Sequence, residues 1–208
     1  VGGGTQGGAG ESSSFRHGLF NETCLEYEIV LGNGEILIAS PTQNEDLFYG
    51  TACSYGSLGV ITLVKLRLRP AKEFVRLAYH AVPSFDEAIR LTERKVGEAV
   101  DFVGAVLFAK NRGVVMVGSF ADKSDLPVST FSRASDEWFY LHADAISRKS
   151  SLYEELIPTR DYLFRYDRGA FWMGTYGFRV LRMPFNRFTR FIFNPFLKTR
   201  ELYQSLHA

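Results

Sequence analysis

Apolar and polar positions shift period several times between the two termini. Leu25–Leu31 (LEYEIVL) is rich in strand formers and partly alternating, and Glu35–Ala39 (EILIA) repeats that character after Gly32-Asn33-Gly34. Two such runs across a Gly-Asn-Gly turn predict a β-hairpin. Asn44-Glu45 then offers helix-start chemistry for a short helix over DLFYGTAC. The turn YGSLG leads into Val60–Leu68, a strand whose end places Lys65 and Arg67 outward and Leu66 and Leu68 inward.

Pro70-Ala71-Lys72 reads as a boundary between residues 1–70 and 71–208. Beyond it the pattern predicts a strand Phe74–Val82, a helix Ser84–Gly97, a strand Phe102–Ala109, a turn at Asn111-Arg112-Gly113 and a strand Val114–Phe120. Ser84 is a good N-cap with Glu87 at the capping-box position, and Phe85, Ala88, Ile89 and Leu91 form the side to be buried. This β-α-β-β order predicts an α+β sheet with its helix on one face. The pattern then fades. Asp136–Ser150 reads as an irregular helix, and Phe185, Phe188, Phe191 and Ile192 recur at helical spacing after Pro184. Pro195 breaks that run and Phe196–Leu206 reads as a further helix. Core packing is the default for this tail, with a helix lying in a lipid headgroup layer as the other reading.

Composition alters the picture in two places. Of 208 residues, 46% are hydrophobic and 23% charged, an ordinary globular balance, but 18 are Phe, which implies large apolar surfaces. The net charge of +1 hides an asymmetry, because residues 158–208 hold nine Lys or Arg against three Asp or Glu. A basic, aromatic end on an acidic body points to an anionic partner for that end, and no nucleic-acid module accompanies it. Cys24 and Cys53 lack metal spacing and read as reduced core thiols. No metal site is predicted. His80, His142 and His207 have no partners at metal or triad spacing, and His17 reads as a loop histidine. No apolar run reaches the roughly 20 residues of a membrane span. The sequence opens at Val1 inside a motif and stops at Ala208 inside a helical pattern, as a piece of a longer protein would.

The opening stretch, VGGGTQGGAGESSSFRHG, carries the candidate chemistry. Gly2, Gly3, Gly4, Gly7, Gly8 and Gly10 allow backbone amides to approach a phosphate closely, and Ser12 and Ser13 add hydroxyls. It is neither a Walker A loop nor a Rossmann fingerprint. A flexible Gly/Ser leader fits the composition equally well.

The segments after this loop carry a resemblance. Gly-rich loop, Glu11-x-Ser13-Ser14, Gly18-Leu19-Phe20, the hairpin, Asn44-Glu45-Asp46-Leu47-Phe48-Tyr49 and Gly56-Ser57-Leu58-Gly59-Val60-Ile61 stand in an order that resembles vanillyl-alcohol-oxidase-type flavoproteins. Ile157-Pro158-Thr159-Arg160-Asp161-Tyr162, with Arg165, Arg168 and Phe171-Trp172, resembles the delta-24-sterol reductases among them. The resemblance implies the second part of a PCMH-type FAD-binding domain (1–70) followed by an incomplete α+β substrate, or cap, domain (71–208). It implies FAD contacts from Gly2, Gly3, Gly4, Gly7, Gly8, Gly10, Glu11, Ser12, Ser13, Gly59, Val60 and Ile61. Glu11 would repel a diphosphate and is expected to bond the backbone or a hydroxyl instead. Arg160, Tyr162, Arg165, Asp167 and Arg168 become the candidate catalytic cluster, with Arg for the 2′-phosphate of NADPH or negative charge on the flavin, and Tyr162 or Asp167 as acid. A solvated basic surface with aromatic packing explains the same residues. The implied activity is NADPH-driven reduction of an alkene in the side chain of a sterol, on membranes of the endoplasmic reticulum in a eukaryote. An oxidase of the same fold and a non-catalytic membrane-associated scaffold are the alternatives.

Overall fold

The computed structural model describes residues 2–169, 171–194 and 197–199. The protein divides into two compact units, Val1–Pro70 and Ala71–Ala208, each with its own core.

The first unit begins with two short helices, α1 (Gly2–Gln6) and α2 (Ser14–His17). Its sheet runs in the order β2-β1-β3, with β1 (Cys24–Val30) antiparallel to β2 (Ile36–Ala39) and to β3 (Val60–Leu66). The hairpin closes where expected: the Leu31 N–H donates to Glu35 O at 2.8 Å and the Gly34 N–H to Leu31 O at 2.9 Å. Gly34 takes the left-handed φ of 85° that makes this turn unfavourable for other residues. Helix α3 (Glu45–Thr51) covers the sheet through Phe48, whose ring stacks on Tyr27 at 4.8 Å. Two expectations fail here. Leu68 is 86% exposed, because pairing ends at Leu66 and nothing holds the residues after it on the core side. Cys53 is exposed and only Cys24 is a core thiol.

The second unit is a four-stranded antiparallel sheet in the order β5-β6-β4-β7. Strand β4 (Phe74–Val82), helix α4 (Phe85–Val96), β5 (Phe102–Ala109) and β6 (Arg112–Ala121) follow the predicted order. The Ser84 hydroxyl accepts the Glu87 N–H at 3.2 Å, the bond that starts α4. The β5–β6 turn is tighter than expected, with Ala109 already paired to Arg112.

Alternation along β6 sorts the core. Val115 and Val117 pack with Val82, Val103 and Ala88 under α4, whereas Val114 and Met116 pack with Val75, Leu77 and Tyr79 under α5 (Phe139–Lys149). The sheet is therefore covered on both faces, not one. Helix α4 overhangs the β5 edge. Ala88 is buried, while Phe85 and Ile89 line an open groove with Leu107, contrary to the expected burial of that side.

Strand β7 (Leu152–Pro158) pairs with the other flank of β4, setting Glu155 opposite Leu77 and Tyr153 opposite Tyr79. Helices α6 (Thr159–Leu163), α7 (Met173–Val180) and α8 (Arg187–Phe193) come next. The last two anchor on Trp138 through Phe178 and Phe185, and through Asn194 Oδ1, which accepts the indole N–H at 3.0 Å. Phe188, Phe191 and Ile192 face outward, so the tail is not simply core packing. Val1, the break at Pro195, His207 and most of the expected helix Phe196–Leu206 lie outside the described residues.

Candidate functional site

The glycine-rich opening is folded rather than open. Gly2–Gln6 forms α1, and the N–H groups of Gly7, Gly8 and Ala9 donate to the carbonyls of Gly3, Thr5 and Gly4. The amides of Gly7 and Gly8 are thus used in closing the helix, and the expectation of an extended amide cradle is corrected there. Gly8 has a φ of 62°, and a Cβ on it would stand 2.5 Å from Cys53 Sγ. The amides at the start of α1, on Gly2, Gly3 and Gly4, have no intrahelical acceptor by geometry. A Cβ on Gly3 would meet nothing within 4 Å, so the backbone is open to close approach at that point. Farther along, Glu11 meets the expectation for its carboxylate, which accepts the Ser12 N–H at 2.7 Å.

The segment before β3 returns to this helix. Gln6 Nε2 donates to Gly59 O at 2.9 Å, the Tyr55 N–H donates to Gln6 O at 3.1 Å, and Gly2 lies beside Ile61. Gly59 adopts a φ of 154° and a Cβ there would press on Val30 O, so the close approach of β1 demands glycine. Two stretches more than fifty residues apart in sequence, Gly2–Gln6 and Gly59–Ile61, therefore lie side by side. Val60 and Tyr55 are exposed beside this junction.

The residues from Arg160 to Arg168 do not converge on one point. Arg160 is exposed. Tyr162 is 3% exposed, its ring 4.8 Å from Phe102 and 4.2 Å from the Arg165 guanidinium. Arg165 is itself buried, stacks on Tyr166, and donates to Tyr162 O at 2.8 Å. Arg168 donates to the carbonyls of Ser132 and Asn194, and the Asp167 carbonyl accepts the Thr199 N–H. Their contacts brace the unit, and Arg160 is the exposed cation of the set.

Glu155, a buried acid of the second unit, is absent from the sequence expectations. Its side chain is fully buried and accepts from Tyr79 Oη, from Ser129 Oγ and from His142 Nε2, the last at 2.9 and 3.1 Å to its two oxygens. Strand β7 supplies the carboxylate, β4 the phenol, α5 the imidazole, and the strap before α5 the hydroxyl. Burial first, and then the neighbouring Glu155, holds the Tyr79 phenol well above its usual pKa, so it stays a donor. His142, background by sequence spacing, has a carboxylate partner that the thirteen-residue separation from Glu155 conceals.

Against known proteins, no family model matches. The Delta(24)-sterol reductase homolog of Caenorhabditis elegans is 33% identical over 187 residues, covering 83% of this chain and 36% of that protein. The human Delta(24)-sterol reductase is 33% identical over 175 residues, covering 83% of this chain and 34% of that protein. Over the part it spans, the chain belongs to the delta-24-sterol reductase family. A rice protein named Cytokinin dehydrogenase 9 is 44% identical over 75 residues, 36% of this chain and 14% of that protein. Both names denote oxidoreductases. This family member spans about a third of the length of the curated sterol reductases it matches, and each of those matches is longer than either compact unit.

In this sterol-reductase relative the Glu155 network makes a definite stability prediction. Glu155→Ala leaves the buried Tyr79 hydroxyl and the partly buried Ser129 and His142 donors without their acceptor and is expected to lower unfolding free energy by about 3 kcal/mol. Glu155→Gln, which keeps an acceptor oxygen, is expected to lose less. Urea unfolding followed by circular dichroism measures both; equal midpoints for wild type and Glu155→Ala would contradict the assigned role.

Proposed function

We propose that these residues form the second part of a PCMH-type FAD-binding domain and the start of a substrate domain. In the full-length protein they would serve reduction of an alkene in the side chain of a sterol, with NADPH as electron donor. The observation that carries this reading is the match to proteins named sterol reductases over a stretch too long for one unit alone.

The residues present fit FAD. The amides of Gly2–Gly4 at the start of α1, with the hydroxyls of Ser12 and Ser13, would hold diphosphate, and the backbone of Gly59, Val60 and Ile61 would meet the ring system. Gly7, Gly8 and Gly10 shape the turn, and Glu11 is turned onto the Ser12 amide. Bound there, FAD supplies the hydride. An isolated alkene is unpolarised, so a proton has to reach one carbon as the hydride reaches the other. Arg160 is the exposed cation of that set available for the 2′-phosphate of NADPH, while Arg165 and Arg168 donate to backbone carbonyls of the second unit.

The C-terminal helices offer a place for a membrane. Trp172, Tyr176, Val180, Leu181, Phe188 and Phe191 are exposed on or beside α7 and α8, interleaved with exposed Arg179, Arg182 and Arg187. Apolar side groups with guanidinium groups between them suit an anionic headgroup layer, where a sterol would be met. No described helix is long and apolar enough to cross a membrane.

Turnover of full-length protein with FAD, NADPH and a Δ24-unsaturated sterol is expected to give a product gaining two hydrogen atoms, read by mass spectrometry. Oxidation of an alcohol with oxygen uptake, and no sterol reduction, would instead make it an oxidase. No turnover of either kind, with FAD bound or not, would leave a scaffold. Separately, Arg182→Ala with Arg187→Ala is expected to weaken binding to phosphatidylserine vesicles by more than about tenfold. Unchanged co-sedimentation would remove the tail from the membrane contact.

A further inference from the structure

Between α8 and the strap before α5, the second unit holds a cleft of about 390 Å3 whose charges are sorted by wall. Its size falls within the roughly 300–1,000 Å3 of small-molecule clefts. Thr130, Ser135, Asp136 and Glu137 line it from the strap, and Arg187 and Arg190, three residues apart on α8, line it from the helix.

The two walls do not neutralise each other. No ion pair among the described residues joins them. Nε and Nη1 of Arg190 are buried without a hydrogen-bond partner among those residues, and its guanidinium rests on the Phe185 ring at 5.4 Å. A guanidinium cannot shed its proton, so the counter-charge has to come from a ligand. A simple anion would answer the arginines but would face Asp136 and Glu137 across the cleft. A group negative at one end and positive at the other satisfies both walls.

Their separation is held by the chain itself. Asn194, fully buried at the end of α8, accepts the Trp138 indole N–H at 3.0 Å and donates through Nδ2 to Ala134 O. Arg168 spans the same gap, donating to Ser132 O and to Asn194 O. Asp136 accepts the Arg133 N–H at 2.9 Å, whereas Glu137 is exposed.

We propose that this cleft takes the phosphoethanolamine headgroup of a membrane lipid, with phosphate against Arg187 and Arg190 and ammonium against Asp136 and Glu137; this rests on the membrane contact proposed above for α7 and α8. Phe188, Phe191 and Ile192 are exposed on the same short helix, which sets apolar groups for the acyl region beside the headgroup cleft. A primary ammonium carries three N–H donors for the carboxylates and for the Thr130 and Ser135 hydroxyls, whereas the trimethylammonium of phosphocholine carries none. A phosphoserine headgroup brings a further carboxylate towards Glu137. The cleft thus selects ethanolamine by donors that choline lacks and by repulsion of serine.

The test uses full-length protein and co-sedimentation with three kinds of vesicle: phosphatidylcholine alone, and phosphatidylcholine mixed with phosphatidylethanolamine or with phosphatidylserine. Wild type is expected to bind the ethanolamine mixture about tenfold more tightly than phosphatidylcholine alone. Arg190→Gln and Glu137→Gln are each expected to remove that preference. Glu137→Gln is the sharper variant, because its side chain is exposed and loss of a negative charge by itself strengthens binding to phosphatidylserine. A preference that survives in both variants would overturn the proposal, as would equal binding of wild type to the ethanolamine mixture and to phosphatidylcholine. In that last case, binding to phosphatidylserine vesicles would leave the membrane contact standing. Binding to no vesicle would instead sink the membrane contact, and soluble glycerophosphoethanolamine then decides the cleft. Saturation-transfer NMR that detects it in wild type and not in Arg190→Gln would retain the site for the soluble headgroup; no signal in wild type would overturn that as well.

Discussion

A carboxylate buried in a hydrophobic core has to be satisfied on all sides, and Glu155 imposes that requirement on the second unit. It sits on β7, a strand whose ladder is with β4, and its partners come from three other segments. The strap that brings Ser129 also pairs Val128 with Leu156 along the free side of β7, closing that edge. Helix α5 can place His142 over the carboxylate only if Phe139, Ala143 and Ile146 are seated on Tyr79 and Val114. Satisfying one charge thus fixes the strap, the helix and the edge of the sheet together.

The same network explains which elements are legible in sequence. The hairpin, β4, α4, β5 and β6 announce themselves by local signals: a Gly-Asn-Gly turn, a Ser84 cap, and apolar runs bounded by turn residues. Strand β7 does not, because Glu154-Glu155 interrupts its apolar pattern. Glu154 is explained by Arg76 across the sheet at 2.6 Å and Glu155 by partners contributed from other segments, none of which a single sequence displays. Helix α1 is hidden for the opposite reason. Its glycines have poor helix propensity, and tertiary closeness to β3 and to Cys53 overrides it.

The candidate site shows a similar division. Sequence motifs single out the glycine stretch and Gly59–Ile61 separately, and the structure brings them side by side through Gln6. The basic residues near Arg160 read as one cluster because they are close in sequence. The fold turns Arg165 inward onto aromatic rings and leaves Arg160 in solvent, a division that short-range spacing cannot reveal. Sequence proximity overstates that cluster, and distance in sequence conceals the pairing of His142 with Glu155.

Electron transfer from NADPH onto a bound flavin is the central step of the function proposed for this relative of the sterol reductases. An anaerobic visible spectrum of the purified full-length protein, before and after NADPH, tests it most directly. The expected result is a flavin spectrum that bleaches on addition of NADPH and returns when a sterol alkene is supplied. A flavin spectrum that NADPH leaves unaltered, or no flavin after reconstitution with FAD, would contradict it.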